Sequence, residues 1–247
     1  MSALRKCWAV AKKDIRIYYF KGPVLIFGLL FPTFLFLAFA IGRNLAPQTL
    51  VPGLIGMAVF FIASAVTPAV LPFETRTRTL ERLVAAPVTL PMILAGDVLA
   101  AFLFGMSLSL LPILISVAIV GVSVHQPLLL AVALILSALC FAVLGSLFST
   151  PPTDNPSSIM TISNLVRLPL VFVSGIFLPI DQMPRWAQWL AAISPLTYTT
   201  ELFRWSFGQS AHFPPLLCLC ALVAFTLAFW FLSAHLHQRN LTRRLWL

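Results

Sequence analysis

The stretch VPGLIGMAVFFIASAVTPAVLPF at residues 51–73 is followed at residues 74–89 by ETRTRTLERLVAAPVT, and the change between them decides the fold. The first part carries no charged side chain over 23 residues, and a helix needs only about 20 apolar residues to cross the roughly 30 Å core of a bilayer. In the second part, charged residues precede Leu80, Leu83 and Val84, which repeat at helical spacing. The sequence therefore predicts a membrane-spanning helix followed by a short amphipathic helix outside the lipid.

The overall composition agrees with a chain that is dissolved in lipid. Of the 247 residues, 60% are hydrophobic and 9% are charged, whereas soluble domains carry about 45–50% apolar and about 25% charged residues. The formal charge of +9 comes from lysine and arginine in short clusters between apolar runs, a pattern typical of membrane topology and not of a nucleic-acid-binding face. A soluble globule and a nucleic-acid partner are both excluded, and membrane lipid is the expected environment.

Six apolar runs are long enough to cross a bilayer. They are Pro23–Gly42, Val51–Phe73, Val98–Gly121, Leu128–Phe148, Ser158–Leu178 and Pro214–Ala234. The predicted fold is an all-α integral membrane protein with a six-helix transmembrane domain over residues 23–235. Prolines inside the runs, such as Pro68, are tolerated where neighbouring helices satisfy the freed carbonyl, so we expect kinks and not breaks.

The distribution of lysine and arginine predicts the orientation. Twelve of the sixteen lie in residues 1–22, in the connection at residues 74–87 or in a basic tail at residues 236–247, and three lie in the opposite connections. Connections rich in these residues stay in the cytoplasm. Both termini are therefore predicted to be cytoplasmic.

The N-terminal residues 1–22 predict an amphipathic helix. The apolar residues of this leader recur at spacings of three and four, while its basic residues lie off that stripe. The apolar stripe comprises Leu4, Trp8, Ala11, Ile15 and Tyr18. A helix lying in the inner membrane interface fits this pattern, and a basic retention signal without a further role fits it as well.

Motifs for catalysis and metal binding are absent from the sequence. No lysine completes the G-x-x-x-x-G-K-[ST] loop that cradles nucleotide phosphates. Cys218 with Cys220, and His235 with His237, are two residues apart and would point to opposite faces of a helix. Phe172 stands where the Gly-x-Ser-Gly turn of an intramembrane protease needs its first glycine. We therefore expect no catalytic residue, no metal site and no cofactor bound by this chain.

The last external connection predicts two short helices over residues 184–208. Proline is favoured at the first helical position, so Pro184 and Pro195 each open a helix, and Gly208 can end the second. Aromatic side chains that prefer the membrane interface accompany them, including Trp186 and Tyr198. These helices are too short to cross, so they are expected to be re-entrant from the outer face, the alternative being an ordinary external loop.

Arg167 falls inside the predicted fifth span. A central arginine costs about 2.5–3.5 kcal/mol on insertion scales, so it should face protein, water or a substrate headgroup. Two interpretations stay open: a groove residue that attracts anionic or headgroup-bearing cargo, or an anchor that snorkels to the inner headgroups.

Two blocks of sequence resemble the permease of a type-2 ATP-binding-cassette (ABC) exporter. One runs from Val51-Pro52-Gly53 through Glu74 and Leu80-Glu81 to Ala86-Pro87-Val88-Thr89, and the other from Leu168-Pro169 through Ser174-Gly175, Phe177, Pro179, Met183-Pro184 and Trp186 to Ser194-Pro195-Leu196-Thr197-Tyr198 and Arg204. The order and placement of these short motifs across most of the chain carry the resemblance. One departure is Arg78, where the family often has glycine before the Thr-Leu-Glu step.

The resemblance implies a transport subunit, not an enzyme, of the cell (inner or plasma) membrane. Residues 74–87 would be the coupling helix that docks on a separate nucleotide-binding ATPase subunit, which binds the ATP and Mg. Its coupling residues would be Glu74, Arg76, Arg78, Leu80, Glu81 and Arg82. Substrate would pass a groove or exit that includes Arg167, Ser174, Phe177, Trp186 and Tyr198.

The resemblance also implies a working unit of two permease copies, as a homodimer, with two ATPases. The cargo would be hydrophobic, amphipathic or lipid-linked: a drug, a glycolipid or a polysaccharide. The competing hypothesis is a secondary transporter or scramblase that works without ATP. It is weakened because Asp97, the only acid near a span, lies at a cytoplasmic end and not at mid-membrane, where ion coupling needs it.

Overall fold

The computed structural model describes residues 3–19, 26–40 and 47–245, and helices dominate all three ranges. The α-helices are α1 (Ala3–Asp14), α2 (Phe31–Ala40), α3 (Pro47–Ser64), α4 (Thr67–Arg76), α5 (Thr79–Ala85), α6 (Leu90–Ala118), α7 (Pro127–Phe148), α8 (Pro156–Val173), α9 (Arg185–Ile193), α10 (Pro195–Ser206) and α11 (Pro215–Leu245). Single π-helical turns follow α1 at Ile15–Tyr19 and precede α2 at Ile26–Leu30, and a 3₁₀ turn occupies Ile180–Gln182.

Five segments of the described residues are long and apolar enough to cross a membrane. They are Gln48–Arg76, Leu90–Ala118, Pro127–Phe148, Pro156–Val173 and Pro215–Leu241. They correspond to the second to sixth predicted spans. The predicted first span, Pro23–Gly42, has both its ends among residues that lie outside the described ranges. The multi-pass all-α fold is confirmed, and the count of six stays a prediction.

Several span boundaries differ from the predicted ones for local reasons. The third span begins at Leu90 instead of Val98, because the proline at position 91 lies in the first turn, where its missing N–H costs no hydrogen bond. The fifth ends at Val173 instead of Leu178, shortly before Gly175, whose positive φ of 79° no regular helix contains. The tail predicted at 236–247 continues α11 as far as Leu245.

The second span is broken, contrary to the expected kink. Helix α3 ends at Ser64 and α4 begins at Thr67, with a bend between them. Pro68, in the first turn of α4, has no amide to donate to the carbonyl of Ser64. One regular helical hydrogen bond is thus lost at the middle of this span, and the chain turns there.

Helix α3 lies at the centre of the bundle and packs against α6, α7 and α10. Small residues bring these helices close together: a Cβ added to Gly105 of α6 would lie 2.7 Å from the Cβ of Ala63. Phe60 of α3 meets Phe141 of α7 edge to face, with ring centroids 4.9 Å apart. Such close packing drives helix association in lipid, where apolar surface alone gives no preference for protein over acyl chain.

The leader helix α1 packs along α6, and glycine makes the contact possible. A Cβ on Gly96 would lie 2.5 Å from the Cβ of Val10. The buried face of α1 comprises Val10, Ala11 and Asp14, whereas Leu4, in the predicted apolar stripe, is 82% exposed. The leader thus has two faces: one packs on protein, and the other presents apolar side chains to the surroundings.

We predict that Gly96→Ala loosens the leader helix. The new methyl group must displace Val10, and overpacking of this kind costs about 1–3 kcal/mol. The thermal midpoint of the full-length protein in detergent should fall, and amide exchange across residues 3–14 should accelerate. Gly28→Ala is the matched control, because its methyl group would meet Ile62 at an ordinary 3.7 Å. Unchanged exchange in the Gly96 variant would contradict the packing.

Candidate coupling segment and substrate cavity

The connection between the second and third spans is more compact than the single helix predicted over 74–87. Glu74 belongs to the last turn of α4, and α5 covers only Thr79–Ala85. The hydroxyl groups of Thr77 and Thr79 bond the carbonyl of Glu74, at 3.5 and 3.3 Å, and the amide of Thr77 donates to the carbonyl of Phe73 at 3.0 Å. These bonds terminate α4, since helix ends must satisfy their last carbonyls.

Arg78 makes the turn between α4 and α5. Its φ is +54°, in the left-handed region, and it is the only non-glycine residue with positive φ in the described part of the chain. This conformation costs a residue with a Cβ about 1–2 kcal/mol. Arg78, which stands where the family often has glycine, therefore occupies a position whose backbone conformation favours glycine.

The six predicted coupling residues separate into two groups. Four are exposed and charged: Arg76, Arg78, Glu81 and Arg82. Leu80 is buried in a small cluster with Leu71 and Leu94, which holds α5 against the bundle. Glu74 is 1% exposed.

Glu74 forms an ion pair with Lys13 of the leader helix. At the other end of the same helix, Lys6 donates a hydrogen bond to the backbone carbonyl of Pro87. One lysine therefore contacts the start of the connection, and the other contacts its end. The leader helix spans the connection and holds it at both sides.

Lys13 lies among three carboxyl groups. Asp14 is 3.0 Å away, and the electrostatic field of Asp97 acts on it together with that of Glu74. Asp14, Glu74 and Asp97 are all buried. Burial by itself would lower the pKa of Lys13, but the attraction of the three carboxyl groups outweighs it and raises the pKa, so the lysine stays charged.

This cluster was missed at the level of sequence. Asp14 and Asp97 stand 83 positions apart, and helical spacing does not relate residues on different elements. The sequence offered one signal: each acid is isolated, Asp14 in a basic leader and Asp97 at the end of an apolar run.

A cavity of about 630 Å³ opens between the second and fifth spans. Most of its lining is apolar, including Phe31, Phe61, Val70 and Phe73, and its polar lining comprises Tyr18, Ser157, Asn164 and Arg167. Of the predicted groove and exit residues, only Arg167 lines it.

Arg167 is buried against protein. Its side chain is 2% exposed and lies 11 residues, or about 17 Å, from the start of α8 at Pro156. Its Nη2 donates to the carbonyl of Ser64, and its Cζ lies 5.6 Å from the centre of the Phe148 ring. In this structure the guanidinium contacts the break in the second span.

The other four predicted groove and exit residues lie on or beside α9 and α10 or at the end of α8. Ser174 closes its own helix by donating to the carbonyl of Val171 at 2.8 Å. Phe177 is half-buried beyond the end of α8, and Trp186 on α9 is 67% exposed. Tyr198 is buried and donates to the carbonyl of Ala192 at 2.7 Å. Tyr198 thus fastens α10 to α9 instead of lying at an exposed interface.

A buried ion pair organises the region around α10. Glu201 and Arg204 of α10 are 2.8 Å apart, and Arg204 also donates to the carbonyl of Gly175 at 2.6 Å. Glu201 in turn accepts from the amides of His212 and Phe213. Through these bonds the pair joins α10 to the turn at Gly175 and to residues 212–213. The i, i+3 spacing of Glu201 and Arg204 was the signal for this pair in the sequence.

Within residues 3–19, 26–40 and 47–245, no group of three or more His, Cys, Asp or Glu side chains is placed to hold a metal ion. The four cysteines are unpaired. Nothing in this part of the chain adds a metal to the coupling segment or the cavity.

Comparison with known proteins identifies the family. The model of the ABC-2 type transporter family matches residues 5–208. The inner membrane transport permease YadH of Escherichia coli strain K12 is 30% identical over 193 residues, which cover 78% of this chain and 75% of YadH. YadH of Shigella flexneri gives the same figures. The chain therefore belongs to the ABC-2 type transporter family, and it is a multi-pass membrane permease of an ABC transporter.

Proposed function

We propose that this permease exports a hydrophobic, amphipathic or lipid-linked substrate, driven by ATP hydrolysis on a separate nucleotide-binding subunit. Family membership implies an ATP-binding partner. The observation that carries the proposal is the connection between the second and third spans: its charged residues are exposed while the leader lysines hold both its ends. A solvated linker would need neither feature.

The docking surface consists of α5 and the groove beside it. A cavity of about 500 Å³ lies between the connection and the leader helix, and both apolar and charged side chains line it. Phe73, Leu83 and Arg82 are among them. An apolar hollow rimmed by charge suits an inserted segment of a partner protein, because the hollow supplies buried area and the rim supplies specificity.

Movement of the docked ATPase would reach the spans by two routes. One runs directly through α4, which continues the second span. The other runs through Lys13 and Lys6 into the leader helix, which packs on α6 at Gly96. Two copies of the permease, as a homodimer with two ATPases that bind ATP and Mg, would alternate between two conformations whose balance the ATPases bias.

The substrate path is assigned to the cavity between the second and fifth spans. Its apolar lining fits hydrophobic cargo. Ser174, Phe177, Trp186 and Tyr198 lie nearer the proposed exit, and the two outer helices would form a re-entrant cap above it. Ion-driven transport is disfavoured because Asp97, the eighth of the 29 residues of α6, lies in the electrostatic field of Lys13 of the leader and not at the middle of the span.

We predict that Glu81→Ala with Arg82→Ala uncouples ATP hydrolysis from transport. Both side chains are exposed on α5, so the fold should be unaffected. Loss of two docking charges should lower ATP-dependent transport about fivefold or more, measured in inverted vesicles that also contain the ATPase. Gln238→Ala with Arg239→Ala, also exposed polar positions, is the control. Transport at the wild-type rate in the α5 variant, or without any ATPase, would refute the assignment.

We predict that Arg78→Gly makes the permease more stable than Arg78→Ala. Both variants remove the charge, but only glycine adopts φ of +54° without the penalty for a Cβ. The difference in unfolding free energy should be about 1 kcal/mol, visible as a higher thermal midpoint. Both variants should weaken binding of the ATPase equally. A thermal midpoint of Arg78→Gly that is no higher than that of Arg78→Ala would contradict the strained turn.

We predict that Ala85 and Gln182 lie on opposite sides of the membrane. Both are exposed, one on α5 and the other in the 3₁₀ turn before α9. A cysteine at Gln182 should react with a membrane-impermeant maleimide in intact cells, and a cysteine at Ala85 only after lysis. The parent should lack Cys7 and Cys220, because the other two cysteines are buried. Labelling of both positions from one side would overturn the orientation.

A further inference from the structure

The break in the second span leaves one carbonyl without its helical partner. In a regular helix the amide of residue 68 donates to the carbonyl of residue 64. Pro68 has no amide hydrogen, so Ser64 must find another donor. No water reaches the lipid core to supply it. The donor is Nη2 of Arg167, from a different span.

Arg167 has donors left over. Its Nε is buried and has no hydrogen-bond partner, and its Nη1 lies 3.5 Å from Oδ1 of Asn164, at the outer limit of a hydrogen bond. Among the described residues no carboxylate forms an ion pair with it; the recorded pairs involve Lys13, Arg204 and His212. A buried cation without a counter-ion is costly, and an anion beside it removes that cost.

The surroundings of this cation define the ligand it would accept. Arg167 stands in the wall of a cavity of about 630 Å³. The rest of the lining is mostly apolar and includes Phe61, Val66 and Val70 of the second span. A hydrocarbon or aromatic body would fill this space while a single anionic group reaches the guanidinium, since phosphate and carboxylate match its forked donors.

We infer that Arg167 has two tasks: it replaces the missing amide of Pro68 at the carbonyl of Ser64, and it binds the anionic group of an amphipathic substrate in the adjoining cavity. The second task rests on the proposed transport function and narrows its substrate class. Because one guanidinium serves both, an anion in the cavity competes with Ser64 for its donors. Cargo binding then relaxes the bend whose far end is Glu74, held by Lys13 at the coupling segment.

Substitutions of two prolines in α4 separate the two tasks of Arg167 experimentally. Pro68→Ala restores an amide to Ser64, so it should compensate for the structural loss in Arg167→Met. Pro72→Ala is the matched control, because Pro72 lies one turn further along the same helix and the carbonyl it leaves free belongs to Pro68 and not to Ser64. All variants are full-length protein in phosphatidylcholine nanodiscs, without ATPase. The result is therefore independent of the coupling proposal, which co-purification with the ATPase tests separately.

The probes are dodecyl phosphate, dodecanol and inorganic phosphate. The wild type should bind dodecyl phosphate about tenfold or more tightly than dodecanol, and Arg167→Met should lose this preference. Pro68→Ala should bind dodecyl phosphate more tightly than the wild type, because Ser64 no longer competes. Arg167→Met with Pro68→Ala should recover the wild-type thermal midpoint but not the preference, whereas Arg167→Met with Pro72→Ala should recover neither.

Three results would overturn the inference. A preference for dodecyl phosphate that survives in Arg167→Met would show that the anion binds elsewhere. Equal midpoints for the two double variants would refute the capping role at Ser64. Inorganic phosphate that binds Arg167 as tightly as dodecyl phosphate would refute an amphipathic ligand, since the apolar walls would then contribute nothing.

Discussion

A backbone carbonyl inside a bilayer has no water to bond, so each departure from regular helix must be satisfied by another part of the chain. The break at Ser64 is satisfied by Arg167 from the fifth span. The turn at Gly175 is satisfied by Arg204 from α10. In both places an arginine joins elements that are far apart in sequence. The irregular points of the fold are therefore also the points at which separate spans are tied together, and their geometry depends on these donors.

The same requirement explains why the coupling segment is rigid at its base and open at its surface. Glu74, buried at the end of α4, needs a cation, and Lys13 of the leader supplies it. Leu80 turns inward to a small apolar cluster. The other charged side chains of this segment stay exposed, and no contact among the described residues needs them to be buried. In the proposed coupling role, we expect such a segment to transmit displacement as a unit, because its ends are held by α4 and by the leader.

The length and polarity of the runs were sufficient to predict the second to sixth spans, since crossing a bilayer sets a minimum length that few other structures demand. Proline signalled the start of α10, where its missing amide is harmless. The proline at position 91 lies equally harmlessly in the first turn of the third span, but the prediction began that span at Val98. At Pro68 the same residue type broke the span, and sequence did not distinguish these outcomes. The difference lies in the partner: a kink becomes a stable break when a distant donor such as Arg167 is present, and local spacing carries no information about it.

Charge placement completes the argument about the partner. The chain has seven acids. Asp14, Glu74 and Asp97 surround Lys13, Glu201 pairs with Arg204, Asp181 pairs with His212, and Asp154 is exposed in the connection between α7 and α8. The seventh, Glu81, is the single acid among the exposed charges of the connection between the second and third spans, beside Arg76, Arg78 and Arg82. Most of the acids fix contacts within the protein, which leaves the exposed face of this connection positive. For the proposed docking at this face we expect an acidic ATPase surface, because like charges placed opposite each other would oppose association.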